Sequence, residues 1–135
     1  MKKRIGHWMW LWHRRSGYRF MGMDVLLLTT LGRRSGERQE ATVSWFPDGE
    51  DAWLIIASAG GSDRNPGWYW NLKSHPDQVW IELRGRKLQV TPEELEGARR
   101  ADSWQRIVTA QRRYDGYQKK TNRVIPVIRL VPATP

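Results

Sequence analysis

The chain has no cysteine, only two phenylalanines and three histidines, and few carboxylates for its size. Each shortage excludes something. Without cysteine there are no disulfides and no thiolate metal ligands, and a reducing cytoplasm suits the protein. His7, His13 and His75 have no second histidine or carboxylate at ligand spacing on one element, which argues against a metal site. No G-x-S-x-G elbow is present, so Ser58 and His75 do not make a hydrolase. Long apolar runs are missing too. The apolar centre of the amino terminus, Trp8 to Trp12, is shorter than a signal-peptide core or the roughly 20 residues of a spanning helix.

The shortage of carboxylates leaves 23 Lys and Arg against 14 Asp and Glu, a net charge of +9. A domain this basic meets an anionic partner: nucleic acid, a membrane surface or a phosphorylated ligand. Nine tryptophans stand against the two phenylalanines. Indole rings want apolar contact and a partner for N–H, which suits cofactor pockets and interfaces as well as a small core.

At 135 residues the chain is one domain. Residues 1–21 read as a basic aromatic helix and linker, and residues 22–135 as the folded domain. In the first segment Ile5, Trp8, Met9 and Trp12 share one helical face, flanked by Lys2, Lys3, Arg4, Arg14 and Arg15. That pattern suits docking either on the domain or on an anionic membrane.

The rest alternates strands and turns. Val25 to Leu31, Glu40 to Phe46, Ala52 to Ala57, Gln78 to Leu83, Lys87 to Val90 and Val124 to Val131 read as strands. Asn65 caps a helix with Pro66 in its first position, ending at His75-Pro76. Thr91-Pro92-Glu93-Glu94 has the form of a capping box, opening a helix to about Arg113 through Leu95, Ala98, Ala101, Trp104, Ile107 and Val108. A short helix follows over Tyr114 to Thr121. This order predicts an α+β domain on a small six-stranded antiparallel barrel with flanking helices.

Two stretches carry chemistry. In Leu26 to Glu37, LLLTTLGRRSGE, Gly32 and Gly36 frame Arg33, Arg34 and Ser35. The turn offers backbone N–H groups, a hydroxyl and two guanidiniums, a donor set that can surround a phosphate, although a solvated hairpin has the same composition. The second is Ser58-Ala59-Gly60-Gly61, running through Asp63-Arg64-Asn65 to Trp68, Tyr69 and Trp70. Its glycines let a flat ligand approach the backbone, and the aromatics either wall it or pack the helix down.

VLLLTTLGRRSGE, then IIASAGGSDRNPGWYWNLKSHP, then YDGYQKKTNRVIPVIRL, resembles in order and spacing the deazaflavin-dependent nitroreductase family over roughly residues 22 to 132. The resemblance implies a split β-barrel and an oxidoreductase that uses coenzyme F-420, an 8-hydroxy-5-deazaflavin with a phosphodiester and an oligoglutamate tail. It implies cofactor contacts from Arg33, Arg34 and Ser35, from Ser58 with its neighbours Ala57 and Ala59, and from Gly67, Trp68, Tyr69 and Asn71 after Pro66. Tyr114 and Tyr117, with Ser58, are implied as hydroxyl donors to a quinone, enone or nitro acceptor. The family usually has an arginine where Gln39 stands; Arg38, one residue earlier, is the candidate replacement. A third tyrosine found in a relative is Gln111 here.

Two alternatives belong to other classes: a basic barrel that stacks single-stranded nucleic acid on aromatics, and a protein that carries F-420 without turnover. The expected location is the cytoplasm, with the amino-terminal helix able to dock on the inner face of the cell membrane.

Overall fold

The structure is a computed structural model that describes residues 19–20 and 22–134. The amphipathic helix expected on Ile5, Trp8, Met9 and Trp12 lies outside these residues. The described elements are β1 Arg19–Phe20, β2 Met23–Leu31, β3 Arg38–Pro47, β4 Trp53–Ile56, α1 Gly67–Ser74, β5 Val79–Leu83, β6 Arg86–Glu94, α2 Gly97–Ala110, α3 Arg113–Lys119 and β7 Val127–Pro132. A single 3-10 turn, Ala59–Gly61, sits between β4 and α1.

Six of the strands close into an antiparallel barrel in the order β2-β3-β4-β7-β6-β5, with β5 returning to pair with β2. The two-residue β1 pairs only with β2, outside the ring. Alternation along the strands fills the interior. Leu26 and Leu28 of β2 meet Ile55, Ile81, Leu83, Val90, Ile128 and Leu130 there, all buried. Each such side chain contributes about 1.5 to 3 kcal/mol by leaving water. Val25 and Leu27 point to the other face and are also buried, so β2 is apolar on both sides, as its continuous run predicts.

Both ends of the barrel are covered. At one, Trp45 and Trp53 are buried beneath the guanidiniums of Arg84 and Arg86, 5.2 and 5.5 Å from the ring centroids. At the other, α1 inserts Tyr69 and Leu72 into the interior cluster. Helices α2 and α3 lie outside, where Ile107 and Tyr114 pack with Leu54, Ile56, Leu95, Ile125 and Val127.

The ring is incomplete between β3 and β4. β3 pairs with β2 from Arg38 to Ser44, but with β4 only from Trp45 to Pro47. β4 ends at Ile56, one residue past the Trp45–Ile55 pair, and the chain leaves the sheet. Ala57 and Ser58 therefore open away from the Arg38–Ser44 stretch, and this split lies at the end that carries the β2–β3 turn.

Three local expectations are corrected. Thr91-Pro92-Glu93-Glu94 caps no helix; it prolongs β6 and pairs with Val131 to Ile128 of β7. A proline is tolerated because β5 pairs with β6 only as far as Gln89, so beyond it one edge of β6 has no ladder partner. The helix begins at Gly97, where φ is +59°, and its buried side is Ser103 and Ile107 with Trp104 and Val108, leaving Ala98 and Ala101 exposed. At α1 the cap position is Pro66 rather than Asn65, whose side-chain oxygen accepts a hydrogen bond from Arg123 instead. The last strand starts at Val127, three residues late, and Val124 is exposed.

Candidate active site

The β2–β3 turn is a small cage closed on itself. Gly32 donates its N–H to the Glu37 carbonyl and Gly36 to the Gly32 carbonyl, both at 2.8 Å, while Ser35 Oγ accepts from the Glu37 N–H at 3.1 Å. Gly36 has φ +70°, a conformation that favours glycine. The turn frames an open cavity of about 270 Å³ lined by Gly32, Arg33, Arg34, Ser35, Gln39 and Asn71. Neither arginine side chain takes part in an ion pair among the described residues. Arg33 instead lies 5.9 Å over the ring of Trp70, which is 42% exposed.

Asn71 ties this turn to the helix over the barrel. It is 5% exposed; its Oδ1 accepts the Arg33 backbone N–H at 3.0 Å, and its Nδ2 donates to Thr30 Oγ1 at 3.2 Å and Gln39 Oε1 at 3.0 Å. Thr30 and Gln39 are themselves directly paired across β2 and β3. Side chains alternate faces along a strand, so Arg38 projects to the side opposite Gln39. Its guanidinium sits 4.6 Å over the Trp80 ring, away from the cavity lining. The structure thus brings Arg33, Arg34, Ser35 and Asn71 together and leaves Arg38 out.

The second stretch is shaped by a residue that motif reading missed. Arg123 donates from Nε to the Ser62 carbonyl at 2.8 Å, from Nη1 to the Ala57 carbonyl at 3.2 Å and Asn65 Oδ1 at 2.7 Å, and from Nη2 to the Ser58 carbonyl at 2.9 Å. Thr121 Oγ1 adds a bond to Asp63 at 2.8 Å. The clamped loop carries Ala59, Gly60 and Gly61 at φ +47°, +64° and +87°. A left-handed alanine is held there by its surroundings. A Cβ on Gly61 would come within 2.9 Å of the Tyr117 carbonyl and of Lys120 Cδ, so α3 and the segment after it rest directly on the loop. Arg123 lies within the stretch YDGYQKKTNRVIPVIRL, but nothing in its local pattern sets it apart from the basic residues around it, because its partners lie on another segment.

These features can be set beside known proteins. The family model described as F-420H(2)-dependent quinone reductase matches residues 4–132. The chain belongs to that family. An F-420H(2)-dependent quinone reductase of Mycobacterium tuberculosis is 40% identical over 121 residues, covering 86% of this chain and 79% of the relative. Among solved structures, an F-420-H2-dependent reductase is 34% identical with a TM-score of 0.70, covering 78% of this chain and 92% of that one. Another solved structure, a domain-swapped dimer, is 30% identical with a TM-score of 0.71 over 92% of this chain and 97% of its own. The family is one of oxidoreductases, and its cofactor is coenzyme F-420.

The residues of this quinone reductase family member fit that cofactor's anionic half. A phosphodiester needs several donors, and two guanidiniums with no carboxylate partner among the described residues, together with a serine hydroxyl, line a cavity that can supply them. A Cβ on Gly32 would lie 2.5 Å from Ser35 Oγ and 2.9 Å from Gln39 Nε2, so glycine is what lets these groups close in.

The aromatic residues of α1 diverge, because successive helical side chains turn by about 100°. Trp68 is half-buried on the barrel core, and Trp70 faces outward under Arg33. Tyr69 is buried, and its hydroxyl donates to Glu94 Oε1 at 2.7 Å, with Lys73 Nζ on the same oxygen at 2.9 Å. Burial, then the Glu94 carboxylate, push the Tyr69 phenol above its ordinary value. Gly67 is exposed at the helix start, beside the clamped loop. Trp45 and Trp53 are buried, unlike the exposed strand aromatics of a single-strand-binding barrel.

Tyr114 and Tyr117 stack edge-on at 5.4 Å but differ in surroundings. Tyr114 is 5% exposed; its ring meets Phe46 at 5.8 Å, and its hydroxyl lies against Ser44 and, at 3.7 Å, Met23 Sδ. Burial pushes this phenol up, and hydrogen bonding with Ser44 only partly offsets it. Tyr117 is half-buried at the rim of the same cluster, where α3 meets the Ser58 loop.

Proposed function

We propose that this protein reduces quinones with F-420H2 bound across the split. Arg33, Arg34 and Ser35 would hold the phosphodiester and tail, and Ala57, Ser58 and Ala59, with the residues of α1, would hold the ring. The observation that carries this is the pair of guanidiniums with no carboxylate partner among the described residues, over a glycine cradle at the end where the barrel is split. When bound, the reduced deazaflavin supplies a hydride from its ring carbon C5.

The chain's own part is to hold ring and acceptor in register and to stabilise negative charge as it grows on the acceptor oxygen. Tyr117 at the rim and Ser58 on the clamped loop are the hydroxyl donors for that oxygen, and Tyr114 supports Tyr117 from beneath. Hydride and one proton together convert quinone to hydroquinone. Enones and nitroaromatics present the same kind of oxygen to the same donors.

Titration of the protein with oxidised F-420 and with FMN, read by tryptophan fluorescence, tests the cofactor. Much tighter binding of F-420, weakening with salt as carboxylate–guanidinium contacts are screened, is expected. Comparable binding of FMN would overturn the reading. Turnover of F-420H2 with a water-soluble quinone separates a reductase from a carrier.

The composition of residues 2–15, five basic side chains around three tryptophans and a methionine, suits an anionic lipid surface, close to long-tailed quinones. Deleting residues 2–16 should reduce cosedimentation with anionic liposomes and slow reduction of long-tailed quinones, sparing water-soluble ones. Equal loss of both activities would remove the membrane from the proposal.

A further inference from the structure

The amide network beneath the arginine turn admits only one orientation. A backbone N–H can only donate, so the oxygen of Asn71 must face Arg33, and its Nδ2 is thereby turned to Thr30 and Gln39. Nδ2 is likewise only a donor, which commits the Gln39 oxygen to it. The two N–H groups of Gln39 Nε2 are what remain. No acceptor among the described residues takes them, and Gln39 lines the cavity beside Arg33, Arg34 and Ser35. Nε2 and Ser35 Oγ also approach Gly32 from one side, the side a Cβ would occupy.

We infer that Gln39 is a direct, neutral ligand of the phosphodiester, and that Asn71 is the positioning residue that turns its donors into the cavity. The inference rests on the proposed seat of the anionic half of F-420 at this turn and assigns a further ligand to it. Buried and with both its amide hydrogens used, Asn71 acts through Gln39 and Arg33 rather than on the ligand. The chain Thr30, Asn71, Gln39 makes the cradle select for oxygen acceptors at a fixed position, whereas Arg33 and Arg34 respond to charge at longer range. An uncharged donor at this place contributes a short-range hydrogen bond that salt does not screen.

The test uses the whole chain and four proteins: wild type, Gln39→Glu, Gln39→Met, and the double variant Arg33→Ala with Arg34→Ala. Gln39→Glu keeps the shape and the oxygen that Asn71 needs and loses the donors; Gln39→Met loses both. Affinity for oxidised F-420 is read by tryptophan fluorescence, beside affinity for the deazaflavin alcohol that lacks phosphodiester and tail. Melting curves establish that each variant is folded. Both Gln39 variants should bind F-420 at least about 10-fold more weakly, as expected for a lost bond to a charged group. The Gln39→Met loss should persist at about 1 M salt, where the screening length is about 3 Å. Binding of the phosphate-free alcohol should be unchanged.

If Gln39→Glu binds F-420 like the wild type while Gln39→Met does not, Gln39 only props Asn71, and the inference is overturned. It is also overturned, with the arginine site intact, if both Gln39 variants bind normally and the arginine double variant does not. Normal F-420 binding by the arginine double variant removes the site itself, and the inference with it.

Discussion

Arg123 and Ser58, 65 residues apart, are joined by a 2.9 Å hydrogen bond from Nη2 to the Ser58 carbonyl, one of four bonds by which this side chain fixes the loop before α1. Three of the four acceptors are carbonyls of the loop itself. A planar fork of donors suits several fixed carbonyls at once, and an ammonium does not. Arg123→Lys should therefore fail to restore what Arg123→Ala loses. Both are expected to destabilise the fold by about 1.5 to 3 kcal/mol in urea. Both should also speed amide exchange at residues 57–65 well beyond the change elsewhere. Exchange that rises evenly over the barrel would mean that the arginine supports the whole domain rather than this loop.

Asn71 does for the arginine turn what Arg123 does for the serine loop. Asn71→Asp keeps an oxygen for the Arg33 N–H but removes the donors to Thr30 and Gln39, and it adds a charge beside the buried Thr30 hydroxyl and the Gln39 oxygen. We expect about 1 to 3 kcal/mol of lost stability and weaker F-420 binding. Asn71→Ala should cost a similar amount. Chemical denaturation and fluorescence titration check the two effects separately, and unchanged binding by a folded Asn71→Asp would disconnect α1 from the site.

Which parts of this arrangement were readable in the chain follows from how local they are. The barrel strands and the arginine turn announce themselves through apolar runs and glycine punctuation, so β2, β3 and Gly32 to Gly36 lie where the pattern puts them. Thr91-Pro92-Glu93-Glu94 misleads because a local capping signal competes with a ladder to β7, whose partner residues are some forty positions on, and the ladder wins. Arg123 escapes notice for the same reason, and Gln39 is noticed only as a departure from the family's arginine: each takes its meaning from partners on other elements. Arg38 and Gln39, adjacent in sequence, differ only by the face of β3 they occupy, which becomes certain once Thr30 and Gln39 are paired.

Asp48 provides a test of the scaffold by pH. Its carboxylate accepts from Arg129 Nε at 2.6 Å and Arg106 Nη2 at 2.9 Å. Burial acts to raise its pKa, but the hydrogen bonds and charges of Arg129 and Arg106 together outweigh it, so the group ends below its usual range. A carboxyl with a depressed folded value binds protons more readily when unfolded. Its stabilisation is therefore full above the unfolded value, about pH 4, and is lost as pH falls through the folded one. The wild type should lose stability below about pH 4 more steeply than Asp48→Asn, whose profile should be flatter there. Parallel profiles from acid melts would show that these ion pairs contribute nothing to acid sensitivity.

The two tyrosines of α3 separate support from chemistry. Tyr114 buries its hydroxyl against Ser44 and Met23, with its ring fixed between Phe46 and Tyr117. Tyr114→Phe should lower stability by about 1 kcal/mol and leave the kcat for quinone reduction within about twofold, because the ring that supports Tyr117 remains. Tyr117→Phe keeps the same ring stacking and removes a hydroxyl at the rim. If that hydroxyl meets the acceptor oxygen as charge develops, kcat should fall roughly 10-fold or more for a water-soluble quinone, with little change in F-420 affinity. Ser58→Ala should act in the same direction, and the double variant should lose less than the product of the two, since both donors would serve one oxygen. A Tyr114→Phe enzyme slowed as much as Tyr117→Phe would instead move the acceptor to the inner tyrosine, and would require the Ser44 and Met23 contacts to open during turnover.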